Sequence, residues 1–207
     1  MPEFKAYSLW PIPVYESVEP VKSDWLEKIK STPYERMKVG NGDISIDRYL
    51  LESIPDLKNA IIKHCEVYTR KHLGVAKNAE FYMQNSWGVR HLPKDESQNH
   101  VHGNSLLSGV YYLQTPKNSG DLVFGKDSSW TNLFHQSIRF EYDDSNHINC
   151  DTYRIKVEEE EGKILLFPAH VGHSVTRNNS EQDRYSLAFN FYVRGKFGDE
   201  ESRLEIK

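Results

Sequence analysis

Three histidines and one arginine have the residue types and spacing of a metal site with an anion-binding site beside it. His100 and His102 are separated by one residue, so on an extended strand both imidazoles point to the same face. His173 follows 71 residues after His102, and Arg184 follows eleven residues after His173. Each piece alone is a weak signal. Their order and spacing together indicate an iron site that also holds an anionic cosubstrate.

The segment that begins at Arg184 predicts a strand with one polar, small-residue face. Arg184 and Ser186 share that face, and it continues in Ala188 and Asn190. The opposite face is apolar and consists of Tyr185, Leu187, Phe189 and Phe191. A planar guanidinium can bind a carboxylate through two parallel hydrogen bonds, and a nearby hydroxyl adds a third. The alternative interpretation of Arg184 is an ordinary ion pair at the surface.

Length and composition predict one globular domain. The chain has 207 residues, of which 38% are hydrophobic and 12% aromatic, enough for a packed core. The net charge of −4 gives no reason to expect nucleic-acid or membrane-surface binding. Two cysteines do not make a disulfide framework, and the N-terminus has no long apolar run. We therefore expect a protein with free thiols in the cytoplasm.

The predicted elements place helices first and strands afterwards. A short helix is expected over 21–29 and a longer one over 56–73, where apolar residues recur at Leu57, Ile61, Cys65, Tyr68 and His72. Strands are expected over 81–91, 99–114, 121–125, 133–142, 150–157, 163–168, 173–177 and 184–194. The pattern predicts a mainly β (α+β) domain, with an N-terminal arm and supporting helices over 1–79 and a β core over 80–195. A two-layer jelly roll fits, although periodicity alone does not separate it from another β sandwich.

A set of short motifs in one order resembles a known family. The motifs lie at 86–87, 100–102, 107–113, 120–124, 162–168, 173–175 and 184–190. In this order they resemble the 2-oxoglutarate and Fe(II)-dependent oxygenases, close to the prolyl 4-hydroxylase-like branch and to a group found in bacteria and tailed phages. The resemblance covers about half of the chain. It implies a double-stranded β-helix (a cupin-like jelly roll) and a hydroxylase that releases succinate and CO2.

The resemblance also implies a ligand set. His100 and His173 match two Fe(II) ligands, whereas His102 stands where the family at large has Asp or Glu. We expect His102 to coordinate and complete a three-histidine site. Two alternatives stay open: water or another group fills the third position, or His102 supports the site without binding metal. Arg184, Ser186 and Tyr112 match the residues that bind the distal carboxylate of the cosubstrate 2-oxoglutarate.

Other candidates are weaker. His170 lies three residues before His173, so on a strand it faces the opposite way, and we expect it at the surface. Asp121 is a possible distant carboxylate, but its position is that of a strand entry. The remaining histidines form no constellation and are interpreted as structural or exposed: His64, His72, His91, His135 and His147.

Three other functions remain compatible with the sequence. One is a three-histidine dioxygenase that does not use 2-oxoglutarate, a reading that gives Arg184 no required partner. Another is a catalytically silent binding or structural protein, and the third is a zinc-loaded site. A protein side chain, a nucleobase and a small metabolite all remain candidate substrates, and the oligomeric state is not predicted.

Overall fold

The computed structural model describes residues 11–38, 40–125 and 152–207, and the fold is given for these residues. The described part of the chain contains two helices and twelve strands, with a 3-10 turn at Leu50–Ser53 and a π-helical turn at Tyr68–His72. The helices are α1 (Ser23–Ser31) and α2 (Pro55–Val67). The strands are β1 (Tyr15–Val18), β2 (Tyr34–Arg36), β3 (Asp43–Ser45), β4 (Ala79–His91), β5 (Ser97–His100), β6 (Leu107–Gln114), β7 (Leu122–Gly125), β8 (Thr152–Ile155), β9 (Lys163–Pro168), β10 (Gly172–Val175), β11 (Arg184–Phe197) and β12 (Leu204–Ile206).

The strands form two antiparallel sheets. The larger has eight strands in the order β1-β9-β6-β11-β4-β3-β2, with β12 paired to β11. The smaller has four strands in the order β5-β10-β7-β8. The prediction of a mainly β protein with few helices is therefore confirmed.

Two clusters of buried side chains cover the two faces of the large sheet. One lies between the sheet and the helices and joins Leu57 and Ile61 of α2 to Phe189 and Phe191 of β11. The other lies between the two sheets and includes Tyr112 and Phe167 of the large sheet with Phe124 of the small one. The polar face of β11 therefore looks into the space between the sheets.

Gly109 allows β6 to pack closely against β9 and β11 at the centre of the large sheet. A Cβ atom at this position would lie 2.3 Å from the Phe189 ring and 2.7 Å from the carbonyl oxygen of Leu165. Both distances are below van der Waals contact, so a larger residue would force β6 away from its neighbours.

Several strand predictions are correct within a few residues, and others are wrong. The expected strand over 99–114 is two strands, β5 and β6, separated by a turn at 101–106. Strands β1, β2 and β3 form in the segment expected to be an arm with helices, and β12 was also not predicted. The expected strand over 133–142 lies outside the described residues.

Both predicted helices form. Pro55 occupies the first turn of α2, and Leu57, Ile61 and Cys65 are buried along one face at four-residue spacing. His72 is exposed rather than part of that face, because the π-helical turn that follows α2 changes the helical phase. None of the described helices has the length and apolar character needed to cross a bilayer.

Candidate metal and cosubstrate site

Three histidine side chains meet at one end of the space between the sheets. His100 on β5 and His173 on β10 are direct partners across the small sheet. The ring centroids are 4.3 Å apart for His100 and His173, 5.2 Å for His100 and His102, and 5.1 Å for His102 and His173. One nitrogen from each ring lies within 4.8 Å of the others, an arrangement that can hold one metal ion.

His102 reaches this cluster by a different route from the one predicted. Strand β5 ends at His100, so His100 and His102 do not share an extended strand. The backbone N–H of His102 instead donates to the carbonyl oxygen of Ala169 over 3.0 Å. Its ring stacks on Trp87 of β4, with the centroids 5.7 Å apart. The three imidazole rings therefore converge as predicted, but the predicted cause, a strand shared by His100 and His102, is wrong.

Backbone carbonyl groups orient two of the three rings. Nδ1 of His100 donates to the carbonyl oxygen of Gln98 over 2.8 Å, and Nδ1 of His173 donates to that of Val171 over 2.9 Å. A carbonyl oxygen accepts only, so Nδ1 carries the proton in both rings and Nε2 keeps its lone pair. This is how metal-binding histidines are commonly fixed in proteins.

Burial keeps two of the rings neutral. It lowers the pKa of His173, against the opposing effect of the Val171 carbonyl and with smaller contributions from His100 and His102, to about 3. Burial, with a smaller effect of His100, lowers the pKa of His102 to about 4. Phe167 packs edge-on against His173 with the centroids 4.8 Å apart. Neutral imidazoles are the protonation state that binds metal.

Arg184 lies in the same space between the sheets and is 1% exposed. Its Nη2 donates to Nδ1 of His91 over 2.9 Å, and Nη1 makes long contacts of 3.3 and 3.5 Å with the carbonyl oxygens of Ser119 and Gly120. Its Nε–H has no partner, and no carboxylate lies within 4.0 Å, among the described residues. Burial lowers the pKa of the guanidinium, which nevertheless remains charged. The charge of Asp121 acts on Arg184 only from beyond ion-pair distance, so among the described residues this buried cation has no direct counter-ion and can bind an anion.

Ser186 and Tyr112, the other two predicted cosubstrate residues, lie on the same face of the large sheet as Arg184. They are direct partners across β11 and β6, and both are at most 3% exposed. Tyr112, and after it Asp121, raise the pKa of Arg184 against the larger effect of burial. Burial raises the pKa of Tyr112 itself well above its usual value, so its hydroxyl keeps its proton.

The remaining candidates do not join the histidine cluster. His170 is exposed, as predicted. Asp121 precedes β7 and accepts from the backbone N–H of Val157 over 3.2 Å, which agrees with a strand entry. His91 and Ser119, in contrast, contact Arg184 and were not predicted. One feature of the sequence pointed to His91. It lies four residues after Trp87 on the same predicted strand, so both side chains point to the same face of the sheet.

Fold and site together define a mainly β protein with three converging imidazoles that can hold one metal ion, and with a buried arginine on the same side of the large sheet. Solved structures with the same fold include a prolyl-4-hydroxylase from Pseudomonas putida, with 14% identity, a TM-score of 0.58, and 89% of this chain and 94% of that one covered. HygX from Streptomyces hygroscopicus, solved with nickel and 2-oxoglutarate bound, has 12% identity and a TM-score of 0.57, with 87% and 82% covered. No curated protein sequence matches this chain.

A family profile described as "Putative 2OG-Fe(II) oxygenase" matches residues 85–190, about half of the chain. The chain belongs to this 2OG-Fe(II) oxygenase family. It is an Fe(II)- and 2-oxoglutarate-dependent oxygenase, as the sequence motifs predicted.

Proposed function

We propose that His100, His102 and His173 hold Fe(II), and that Arg184 with Ser186 and Tyr112 binds the distal carboxylate of 2-oxoglutarate. The observation that carries this proposal is Arg184, a fully buried guanidinium with no carboxylate partner among the described residues. Leaving a charge unpaired in the interior costs several kcal/mol. A dicarboxylate that also reaches the histidines would supply the missing counter-ion.

The donor set fits iron. Imidazole nitrogens suit iron, nickel, copper and zinc, and three of them leave further positions open for other ligands. Three neutral donors leave the charge of the ion uncompensated, so the site favours a chelating anion. When bound, Fe(II) and 2-oxoglutarate would activate O2, of which one oxygen atom ends in succinate as CO2 leaves and the other hydroxylates the substrate.

The protein side chains hold and shield these groups. The carbonyl oxygens of Gln98 and Val171 fix the rings of His100 and His173, and Trp87 packs against His102. Phe124 and Phe167 cover the inner side of His173 and exclude water there. The exposed His100 marks the open side of the cluster, by which a substrate would enter.

Two finer features belong to the same proposal. The two facing antiparallel sheets, and the solved oxygenases of the same fold, support a double-stranded β-helix (jelly roll). The buried, unpaired thiol of Cys65 supports a reducing compartment, the cytoplasm.

The test is a screen for succinate released from 2-oxoglutarate by the Fe(II)-loaded protein. Candidate substrates are peptides, nucleosides and small metabolites, and hydroxylation is followed by mass spectrometry. We expect succinate in stoichiometric ratio to a hydroxylated product. Oxidation of a substrate without consumption of 2-oxoglutarate would instead support a three-histidine dioxygenase. A metal-loaded protein with neither activity would support a silent scaffold.

A further inference from the structure

The guanidinium group of Arg184 is only partly satisfied by hydrogen bonds to the described residues. Its Nη2 and Nη1 atoms face protein acceptors, whereas Nε–H has no hydrogen-bond partner among the described residues. Ser119, whose carbonyl oxygen touches Nη1, also has a buried hydroxyl without a described partner. Two unsatisfied polar groups therefore belong to residues that are in contact. Buried polar groups are rarely left unpaired without a functional reason.

The hydrogen bond to His91 determines how the guanidinium is turned. An arginine N–H donates only, so Nδ1 of His91 must accept, and the ring proton must be on Nε2. That proton is directed at Oγ of Ser97, 2.8 Å away. A neutral ring is also what the surroundings favour, because burial and the charge of Arg184 lower the pKa of His91 well below its usual value. The result is a buried chain from Arg184 through His91 to β5, the strand that carries His100.

Tight packing fixes both contacts of Arg184. The side-chain N–H of Asn178 donates to the carbonyl oxygen of His91 over 3.0 Å. A Cβ atom at Gly42 would lie 3.2 Å from the His91 ring, so glycine leaves room for the ring. Gly120 has a φ of +90°, and a Cβ there would lie 2.3 Å from the carbonyl oxygen of Thr176. The turn that carries Ser119 therefore lies directly against the end of β10.

We propose that His91 is a positioning residue for the cosubstrate site, and that Ser119 is a further binding residue. His91 holds Nη2 of Arg184, so that Nε–H of Arg184 and the Ser119 hydroxyl together receive the distal carboxylate of 2-oxoglutarate. This inference rests on the proposed function of Arg184. It adds two residues, from the end of β4 and from the turn before β7, to the expected set of Arg184, Ser186 and Tyr112.

The first experiment measures binding of 2-oxoglutarate to the Ni(II)-loaded protein by calorimetry. The comparison ligand is 2-oxopentanoate, which has the same keto acid but no distal carboxylate. Ser119→Ala should weaken 2-oxoglutarate about tenfold and leave 2-oxopentanoate within about twofold. Ser86→Ala is the matched control, because this buried serine hydroxyl accepts from the backbone of Leu51 on the helix side of β4. Equal affinity of Ser119→Ala and the parent for 2-oxoglutarate would remove Ser119 from the site.

Two variants at His91 separate positioning from packing. His91→Asn keeps an acceptor near the place of Nδ1, and should bind 2-oxoglutarate within about threefold of the parent. His91→Leu has no acceptor and should bind it about tenfold more weakly, with Ni(II) affinity unchanged. Equal losses of 2-oxoglutarate affinity in the two folded variants would show that His91 only packs. The same conclusion would follow if a variant lost affinity for 2-oxoglutarate and 2-oxopentanoate alike.

The second experiment needs neither metal nor cosubstrate. Long-range 15N–1H NMR of the parent at pH 7, with the His91→Asn spectrum used for assignment, reports which ring nitrogen carries the proton. We expect a neutral His91 ring with the proton on Nε2. A proton on Nδ1 would overturn the positioning role even if Arg184 binds 2-oxoglutarate. Failure of the parent to bind 2-oxoglutarate, with the expected ring state present, would overturn the proposed function and, with it, both carboxylate-binding roles.

Discussion

The Nε2 atoms of His102 and His173 lie 3.3 Å apart, although 71 residues separate them in the chain. Nitrogen ligands bind ions such as zinc at about 2.1 Å, so two of them at right angles lie ~3 Å apart. The observed distance is therefore close to that of neighbouring ligands on one ion. This relationship favours His102 as a true ligand over a supporting role.

The first prediction concerns His102. His102→Ala should weaken metal binding as strongly as His100→Ala does, by more than the roughly 10–100-fold that is typical of supporting residues. His102→Asp should retain binding, because a carboxylate can also coordinate iron. Calorimetric titration with Ni(II) or Mn(II) measures both effects. His170→Ala is the control, since this exposed histidine lies three residues from His173 and outside the cluster. A milder loss in His102→Ala would assign His102 a supporting role.

The second prediction concerns Arg184. Arg184→Met should lower the affinity for 2-oxoglutarate roughly 30-fold or more, because a charge-assisted contact in a buried pocket is lost. Arg184→Lys should recover only part of the affinity, since an ammonium keeps the charge but cannot bind the partners of both Nη atoms and also donate from the position of Nε–H. Metal affinity should be unchanged in both variants. Unaltered 2-oxoglutarate binding in a folded Arg184→Met protein would show that the cosubstrate binds elsewhere.

The third prediction concerns stability at the edge of the large sheet. Asp43 is 6% exposed and accepts hydrogen bonds from Arg36 and from Arg90, at 3.2 and 2.6 Å. Asp43→Asn should lower the free energy of unfolding by about 1–3 kcal/mol, because Arg36 and Arg90 lose a buried, charged acceptor. The loss stays modest since both arginines are partly solvated. Urea denaturation gives the value. Glu80→Gln breaks the exposed pair with Arg194 and should leave the unfolding midpoint unchanged. A midpoint that is equally unchanged in Asp43→Asn would refute this role.

The fourth prediction concerns the thiol of Cys65. Burial, with a smaller contribution from Glu66, raises its pKa to about 12. Since the thiolate is the reactive form, Cys65 should not react with a disulfide reagent at pH 8 in the folded protein. In a Cys150→Ser variant, the single remaining thiol should react only after denaturant is added. Rapid reaction of that variant under native conditions would contradict the buried position.

The sequence predicted the site better than the path of the chain to it. Residue type and spacing marked His100, His102 and Arg184 as candidates, and the family resemblance chose His173 over His170. Both survive errors in strand boundaries, and the structure brings the three histidines together. The end of β5 at His100 could not be predicted, because the turn after it is held by Ala169, far away in sequence. Strands β1 to β3 are short and exist through pairing with β9 and β4, so local patterns do not reveal them.

The contacts of Arg184 were not predicted for the same reason, although His91 shares a predicted strand face with Trp87. His91 precedes it by 93 residues, and Ser119 by 65. Neither residue forms a local motif with it, and a lone histidine or serine near a turn has many ordinary roles. Only the folded arrangement shows that both residues touch one guanidinium.

The most direct test of the account is an anaerobic titration of 2-oxoglutarate into the Fe(II)-loaded protein, followed by visible absorption. A keto acid chelated to Fe(II) gives a charge-transfer band, so the signal reports metal and cosubstrate in one site. We predict a band that saturates at one 2-oxoglutarate per chain and does not form without iron. A protein that holds one iron per chain and gives no band would contradict the central claim.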